Sequence, residues 1–180
     1  MDIYAQTGVT PLPVIQTARL ELRPMVMADA DAVTAQLNTL DVSRWLTVVP
    51  YPYTRDDAVW FINEIAAGRA KAWSIYKDDT LIGTVGGGSS HGYWLGQAHW
   101  GHGYATEAAL AACAYHFDAT EDAVITSEYF LGNTASQNVL RKIGFLPTDL
   151  RTTRCKATGE DVQAQGVILT RDRWKALHNA

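Results

Sequence analysis

The sequence predicts one α/β domain: a mixed, mostly antiparallel sheet with helices on both faces. Three observations lead there. Runs at 20–23, 72–77 and 81–85 have strand character, the last two joined across Asp78-Asp79 as antiparallel neighbours are. Tyr93-Trp94-Leu95 and Val124–Phe130 flank one alanine-rich helical stretch, an order that implies parallel neighbours joined by a right-handed crossover. Two further runs, 148–154 and 162–169, meet around Thr158-Gly159 as a closing hairpin.

Composition narrows the class. At 180 residues the chain is the size of a single domain that buries a substantial core without covalent staples. Its 47% hydrophobic and 19% charged content describe an ordinary globular chain rather than a disordered one. A formal net charge of −4 argues against nucleic acid as a partner, because such modules carry a basic face. That acidic balance suits a cationic substrate such as an amine, and suits simple solubility equally. Cys113 and Cys155 show neither a zinc spacing nor a disulfide framework, which points to a reducing, cytoplasmic setting. No run is long enough to span a bilayer, and the N-terminus lacks the basic start and apolar stretch of a secretory signal, so no membrane partner is expected.

In chain order, residues 1–16 are unpatterned, hold Pro11 and Pro13, and read as an extension to a domain over 17–180. Leu20-Glu21-Leu22-Arg23 alternates apolar and polar until Pro24 ends it. Residues 28–40 place Ala32, Val33, Leu37 and Leu40 at helical spacing. Val49-Pro50-Tyr51-Pro52-Tyr53 cannot be helical and makes an aromatic loop. Thr54 then caps a helix that runs to Gly68, with Asp56 and Asp57 in the first turn where the dipole favours them. Gly86-Gly87-Gly88-Ser89-Ser90 is a flexible connection or bulge within the sheet. Asn133 caps a helix over Thr134–Ile143, and Gly144 ends it in the left-handed region with Phe145 packed behind. Trp174 falls in a short C-terminal tail.

The most informative stretch is Gly101-His102-Gly103-Tyr104-Ala105-Thr106-Glu107-Ala108. Paired glycines let the backbone turn tightly with no Cβ in the way, and a helix opening there adds unpaired N–H groups and a positive dipole end. Such a corner holds a phosphate or other anion. Two owners fall away on spacing. A dinucleotide fingerprint wants glycine or alanine where Thr106 stands, and a nucleotide-triphosphate loop wants Lys-Ser or Lys-Thr after the turn. A plain strand-to-helix turn stays open. His99 and His102 have a spacing seen in metal sites, but no third ligand follows at a useful distance, so no metal is expected.

This stretch, taken with Tyr93-Trp94-Leu95 and Trp100, resembles the acetyl-coenzyme A motif of the GNAT N-acetyltransferases, and more narrowly their RimJ/RimL-like branch. Thr17-Ala18-Arg19-Leu20-Glu21-Leu22-Arg23 is similar to that branch's first strand, and Val49-Pro50-Tyr51-Pro52-Tyr53 to its proline-tyrosine loop. Asn133-Thr134-Ala135-Ser136, continuing from Val139 to Phe145, resembles the motif after the fifth strand. The resemblance covers roughly 16–175 and implies a central pair of parallel strands that splay apart. It further implies acetyl-CoA as co-substrate, its diphosphate on the backbone of Gly101, His102, Gly103, Tyr104, Ala105 and Thr106. The pantetheine arm would add along Trp94 and Leu95 as a ligand strand, near Asn133, whose other role is the helix cap.

The implied reaction passes an acetyl group directly from the thioester to a primary amine, on a protein N-terminus, an amino acid or another small molecule. A base must free the amine, a donor must steady the oxyanion, and an acid serves the departing thiolate. Many relatives carry a tyrosine acid where this chain has Leu140, and a frequent arginine or glutamine is here Ala98. Ser136 is the stand-in acid that the resemblance suggests, or an ordinary first-turn serine. Glu128 is the carboxylate best placed for a base, or a salt-bridged strand residue. Glu107 reads as structural. Trp45, Tyr51, Tyr53 and Trp60 form an amine-recognition wall or plain packing. A non-catalytic acyl-CoA sensor is the alternative that Leu140 keeps open. A monomer or a homodimer is expected.

Overall fold

The computed structural model describes residue 4 and residues 7–178. Strands β1 (Ile15–Gln16), β2 (Glu21–Pro24), β3 (Ala72–Lys77), β4 (Thr80–Gly86) and β5 (Tyr93–Leu95) make one antiparallel sheet in chain order. Strands β6 (Val124–Phe130), β7 (Leu146–Cys155) and β8 (Glu160–Thr170) make a second, ordered β6-β8-β7. The two meet at a single parallel bridge between Ser90 and Thr126. There Thr126 N–H donates to Ser89 O and His91 N–H donates to Thr126 O, both at 2.8 Å. Beyond that bridge β5 and β6 have no strand partner on their facing edges among the described residues. The Gly86–Ser90 connection therefore does more than link strands: it supplies the closed end of a V.

Strand alternation sorts the helices onto two faces. Leu22, Trp73, Ile75, Ile82 and Val85 pack with α4 (Tyr104–Ala119) and α5 (Thr134–Ile143). Their neighbours Ala72, Tyr76, Leu81 and Trp94 pack on the other side with α1 (Ala30–Leu37) and α3 (Arg55–Ala66). Trp73, Ile75 and Ile82 are fully buried, and each such side chain contributes about 1.5–3 kcal/mol of burial free energy. Gly83 lets β5 close onto β4, since a Cβ there would sit 2.1 Å from Trp94 O.

The caps form as the sequence predicts. Thr54 Oγ1 accepts from Asp57 N–H, while Asp57 Oδ2 accepts from Thr54 N–H at 2.8 Å. Asp78 and Asp79 take the left-handed conformation in the β3–β4 turn. Gly144 closes α5 at φ 112°, with Phe145 N–H bonded to Leu140 O.

Two expectations need correction. The helix expected over 28–40 is a 3₁₀ turn (Met27–Asp29), then α1, then a separate α2 (Leu40–Ser43). The break falls at Asn38, whose ψ of 42° leaves the helical region and whose Oδ1 accepts from Tyr53 N–H at 3.2 Å. Apolar spacing continued through Leu40, but that side-chain bond competes with the helix ladder. The expected C-terminal tail is a helix, α6 (Arg171–His178), with Trp174 buried against Phe117. Arg171 ties it down by donating to the carbonyls of Phe117, Thr120 and Asp122 at the end of α4. Within the first sixteen residues, β1 pairs with β2 and Pro13 O accepts the Trp73 indole N–H at 2.8 Å.

Candidate active site

The glycine turn has the backbone that its sequence demands. Gly101 and Gly103 sit at φ +78° and +80°, a region that costs any residue with a Cβ, and Gly103 is the N-cap of α4. Among the described residues no side chain caps that helix, which leaves its N-terminal turn without a side-chain acceptor at the N-cap. A Cβ on Gly101 would meet nothing within 4 Å, so conformation rather than crowding requires glycine there.

The loop is braced from the turn between β1 and β2. Glu107 accepts from Thr17 Oγ1 at 2.6 Å, from Arg19 N–H at 2.8 Å and from Arg19 Nε at 2.7 Å. Arg19 Nη1 in turn donates to His102 O at 2.9 Å, and its guanidinium lies 4.7 Å over the Tyr104 ring. Burial pushes the Glu107 carboxyl up, but the bonds from Thr17 and Arg19 outweigh it and hold the group below its ordinary range. The structural part expected of Glu107 is thus specific: it couples α4 to the start of β2. Of the ligand-loop residues, His102 is exposed, Tyr104 is buried, and Ala105 and Thr106 are half-buried.

From this loop a cleft of about 1690 Å³ runs through the open V. Trp94 and Leu95 line it, with Trp94 packed toward α1 and α3 and Leu95 toward α4. Their outer backbone edge has no strand partner among the described residues, although Leu95 O accepts the Trp100 indole N–H at 2.8 Å. Asn133 lines the same cleft, and its Oδ1 accepts from Ser136 N–H at 3.1 Å, so the capping role is realised.

Glu128 and Ser136 both face this space. Glu128 is held at three points: Thr47 Oγ1 donates to Oε1 at 3.0 Å, and Arg151 donates to Oε2 through Nε at 2.8 Å and Nη2 at 2.5 Å. The salt-bridged reading of this residue is therefore present in the fold, while its side chain stays 22% exposed to the cleft. Ser136 Oγ lies 2.9 Å from Tyr93 Oη. Leu140 is 1% exposed and belongs to the core beneath α5, so it offers nothing to the cleft. In the aromatic group, Tyr53 is a core residue, Trp60 lines the cleft at 63% exposure, and Tyr51 is exposed outside its lining.

Sequence reasoning missed three residues. Tyr93 was legible as strand, but its hydroxyl contact to α5 spans 43 positions. Arg19 lay inside a recognised stretch, yet its partners are 83 and 88 positions away. His91 gave no signal at all. It is 5% exposed, Nδ1 faces Gly86 O at 3.2 Å, and Nε2 is buried without a hydrogen-bond partner among the described residues. Burial pulls its pKa down to about 4, with the Gly86 carbonyl working the other way and His116 adding to the fall. Among the described residues no three His, Cys, Asp or Glu side chains gather as a metal site, and no helix is long and apolar enough to cross a membrane.

Comparison with known proteins places this geometry. The family described as "Acetyltransferase (GNAT) domain" matches residues 19–146. The uncharacterized N-acetyltransferase p20 of Bacillus licheniformis is 30% identical over 158 residues, covering 81% of this chain and 89% of that protein. RimL, a ribosomal L7/L12 α-N-protein acetyltransferase solved with coenzyme A, superposes with a TM-score of 0.76 at 16% identity over 89% of this chain and 99% of its own. Mycobacterium smegmatis RimJ, solved with a coenzyme A disulfide, gives 0.73 at 23% identity over 91% and 87%. The chain belongs to the GNAT family of N-acetyltransferases, enzymes that take their acetyl group from acetyl-CoA.

Proposed function

We propose that this enzyme acetylates the primary amine at the N-terminus of a peptide or protein, with acetyl-CoA bound along Gly101–Thr106 and the outer edge of β5. The observation that carries this reading is one continuous cleft whose lining reaches from the uncapped start of α4 to a wall that includes Trp45, Val48, Val49 and Trp60. Its volume exceeds the roughly 300–1,000 Å³ of an ordinary small-molecule pocket, as a site for two substrates requires. Val48 is 76% exposed and Trp60 63%, so an acceptor longer than a single amino acid can lie across this wall without displacing protein. The likeness to RimL supports the same acceptor class.

Within this reading Glu128 receives the ammonium proton, and Ser136 serves the leaving thiolate. Arg151 and Thr47 hold the Glu128 carboxylate in one orientation toward the cleft. Calorimetric titration with acetyl-CoA, then thiol release across peptides with different first residues and a set of small amines, tests the assignment. Coenzyme binding followed by turnover on peptides is the expected result. Turnover confined to small amines replaces the acceptor class, and coenzyme binding without any turnover favours the sensor. Glu128→Gln should lower kcat by about 10²-fold or more if it is the base.

A further inference from the structure

Tyr93 is fixed from two sides. Its backbone is paired with Val85 in the β4–β5 register, and its phenol reaches the first turn of α5. That turn is itself held by the Asn133 cap on Ser136 N–H. Tyr93 Oη is 2.9 Å from Ser136 Oγ and 3.3 Å from Ser136 O, and Ser136 Oγ has no other hydrogen-bond partner among the described residues.

We infer that Tyr93 is a positioning residue for acetyl transfer: its phenol donates to Ser136 Oγ and so leaves the serine hydroxyl hydrogen free to point into the cleft. The two hydroxyls lie at hydrogen-bond distance, and the phenol, by far the more acidic of the pair, takes the donor's part. A hydroxyl that accepts one hydrogen bond becomes a better donor of the next. Burial pushes the Tyr93 phenol up to about 12, with Ser136 working against it, so the ring keeps its proton across the working range. During transfer the nitrogen–carbon bond forms, the carbon–sulfur bond breaks, and the serine proton passes to sulfur. The amine, its ammonium proton already on Glu128, sheds a second proton as the amide forms, and that proton restores the serine. Tyr93 gives up nothing; it aims the donor.

This inference rests on the Ser136 role proposed above, and the test separates the two. Thiol release from acetyl-CoA is measured with the best acceptor of the panel and with water as the slow background acceptor, for Tyr93→Phe, Ser136→Ala and the double variant. Tyr93→Phe keeps the ring and loses only the donor. It should lower kcat about tenfold while KM for acetyl-CoA, and coenzyme A affinity by calorimetry, stay within twofold. The double variant should be no slower than Ser136→Ala alone. A wild-type kcat in Tyr93→Phe, an equal loss in KM, or additive losses in the double variant overturns the Tyr93 role and leaves Ser136 standing. A wild-type kcat in Ser136→Ala removes both.

Discussion

At the scale of single residues, backbone conformation and buried polarity decide more than side-chain identity. Gly103 sits at φ +80°, and the nearest group to a Cβ there is Arg19 Nη2 at 3.5 Å, so valine would be strained rather than crowded. Gly103→Val should abolish coenzyme A binding in calorimetry while circular dichroism stays native. Undiminished binding would move the phosphate site elsewhere. His91 carries the opposite lesson, since its buried ring gains nothing by charging. The unfolded chain takes up a proton near pH 6.5 and the folded chain not until about 4. Stability therefore falls as pH drops from about 6.5 to 4, by at most about 1.4 kcal/mol per pH unit. His91→Leu should remove that fall, read as melting temperatures at pH 7.5 and 5.0 that lie closer together than in the parent. The His91 effect could not be predicted from residue type alone.

At the scale of elements, the glycine loop before α4 is held by the turn between β1 and β2. The loop's glycines were legible at once; the brace was not. Arg19 and Thr17 reach Glu107 and His102 O across more than eighty residues, and no periodicity encodes such a pairing. Arg19→Ala should weaken coenzyme A binding by about tenfold or less with kcat nearly unchanged, because it frees the loop without touching the reacting atoms. A fall in kcat at constant affinity would contradict the brace. Helix ends were read well where the cap is local, as with Thr54–Asp57 and Asn133–Ser136, each spanning three positions. They were misread where the deciding contact is distant: Asn38 breaks its helix for Tyr53, and Trp174 is helical because Arg171 and Phe117 dock it. Trp174→Ala removes a 6%-exposed aromatic from this contact and should cost about 3–5 kcal/mol in denaturant unfolding.

At the scale of the whole molecule, two sheets joined by one bridge create the cleft, and few long-range ties keep its glycine-loop end in place. Glu107 is one. Its folded pKa lies below the ordinary value, so the tie contributes in full above the unfolded carboxylate pKa of about 4.3 and is lost as pH falls through the folded value. The stability gap between parent and Glu107→Gln should accordingly be widest near neutrality and narrow between about pH 5 and pH 3. A gap that does not change with pH would show that the Thr17–Arg19–Glu107 contacts act by packing alone.

The sequence by itself determined the class of fold, the strand–helix–strand unit and the glycine turn at a helix start, because each is written in local spacing: two glycines, a helix start, a period of two or 3.6; the acetyl-CoA donor came from the family resemblance that these motifs carry. Tertiary structure alone decided what surrounds that turn. It set Arg19 behind the loop, tied Glu128 to Arg151, buried Leu140 and brought the Tyr93 phenol to Ser136. Those are contacts between distant segments, fixed by how two sheets open and which helix faces are buried, and a linear pattern carries no record of them.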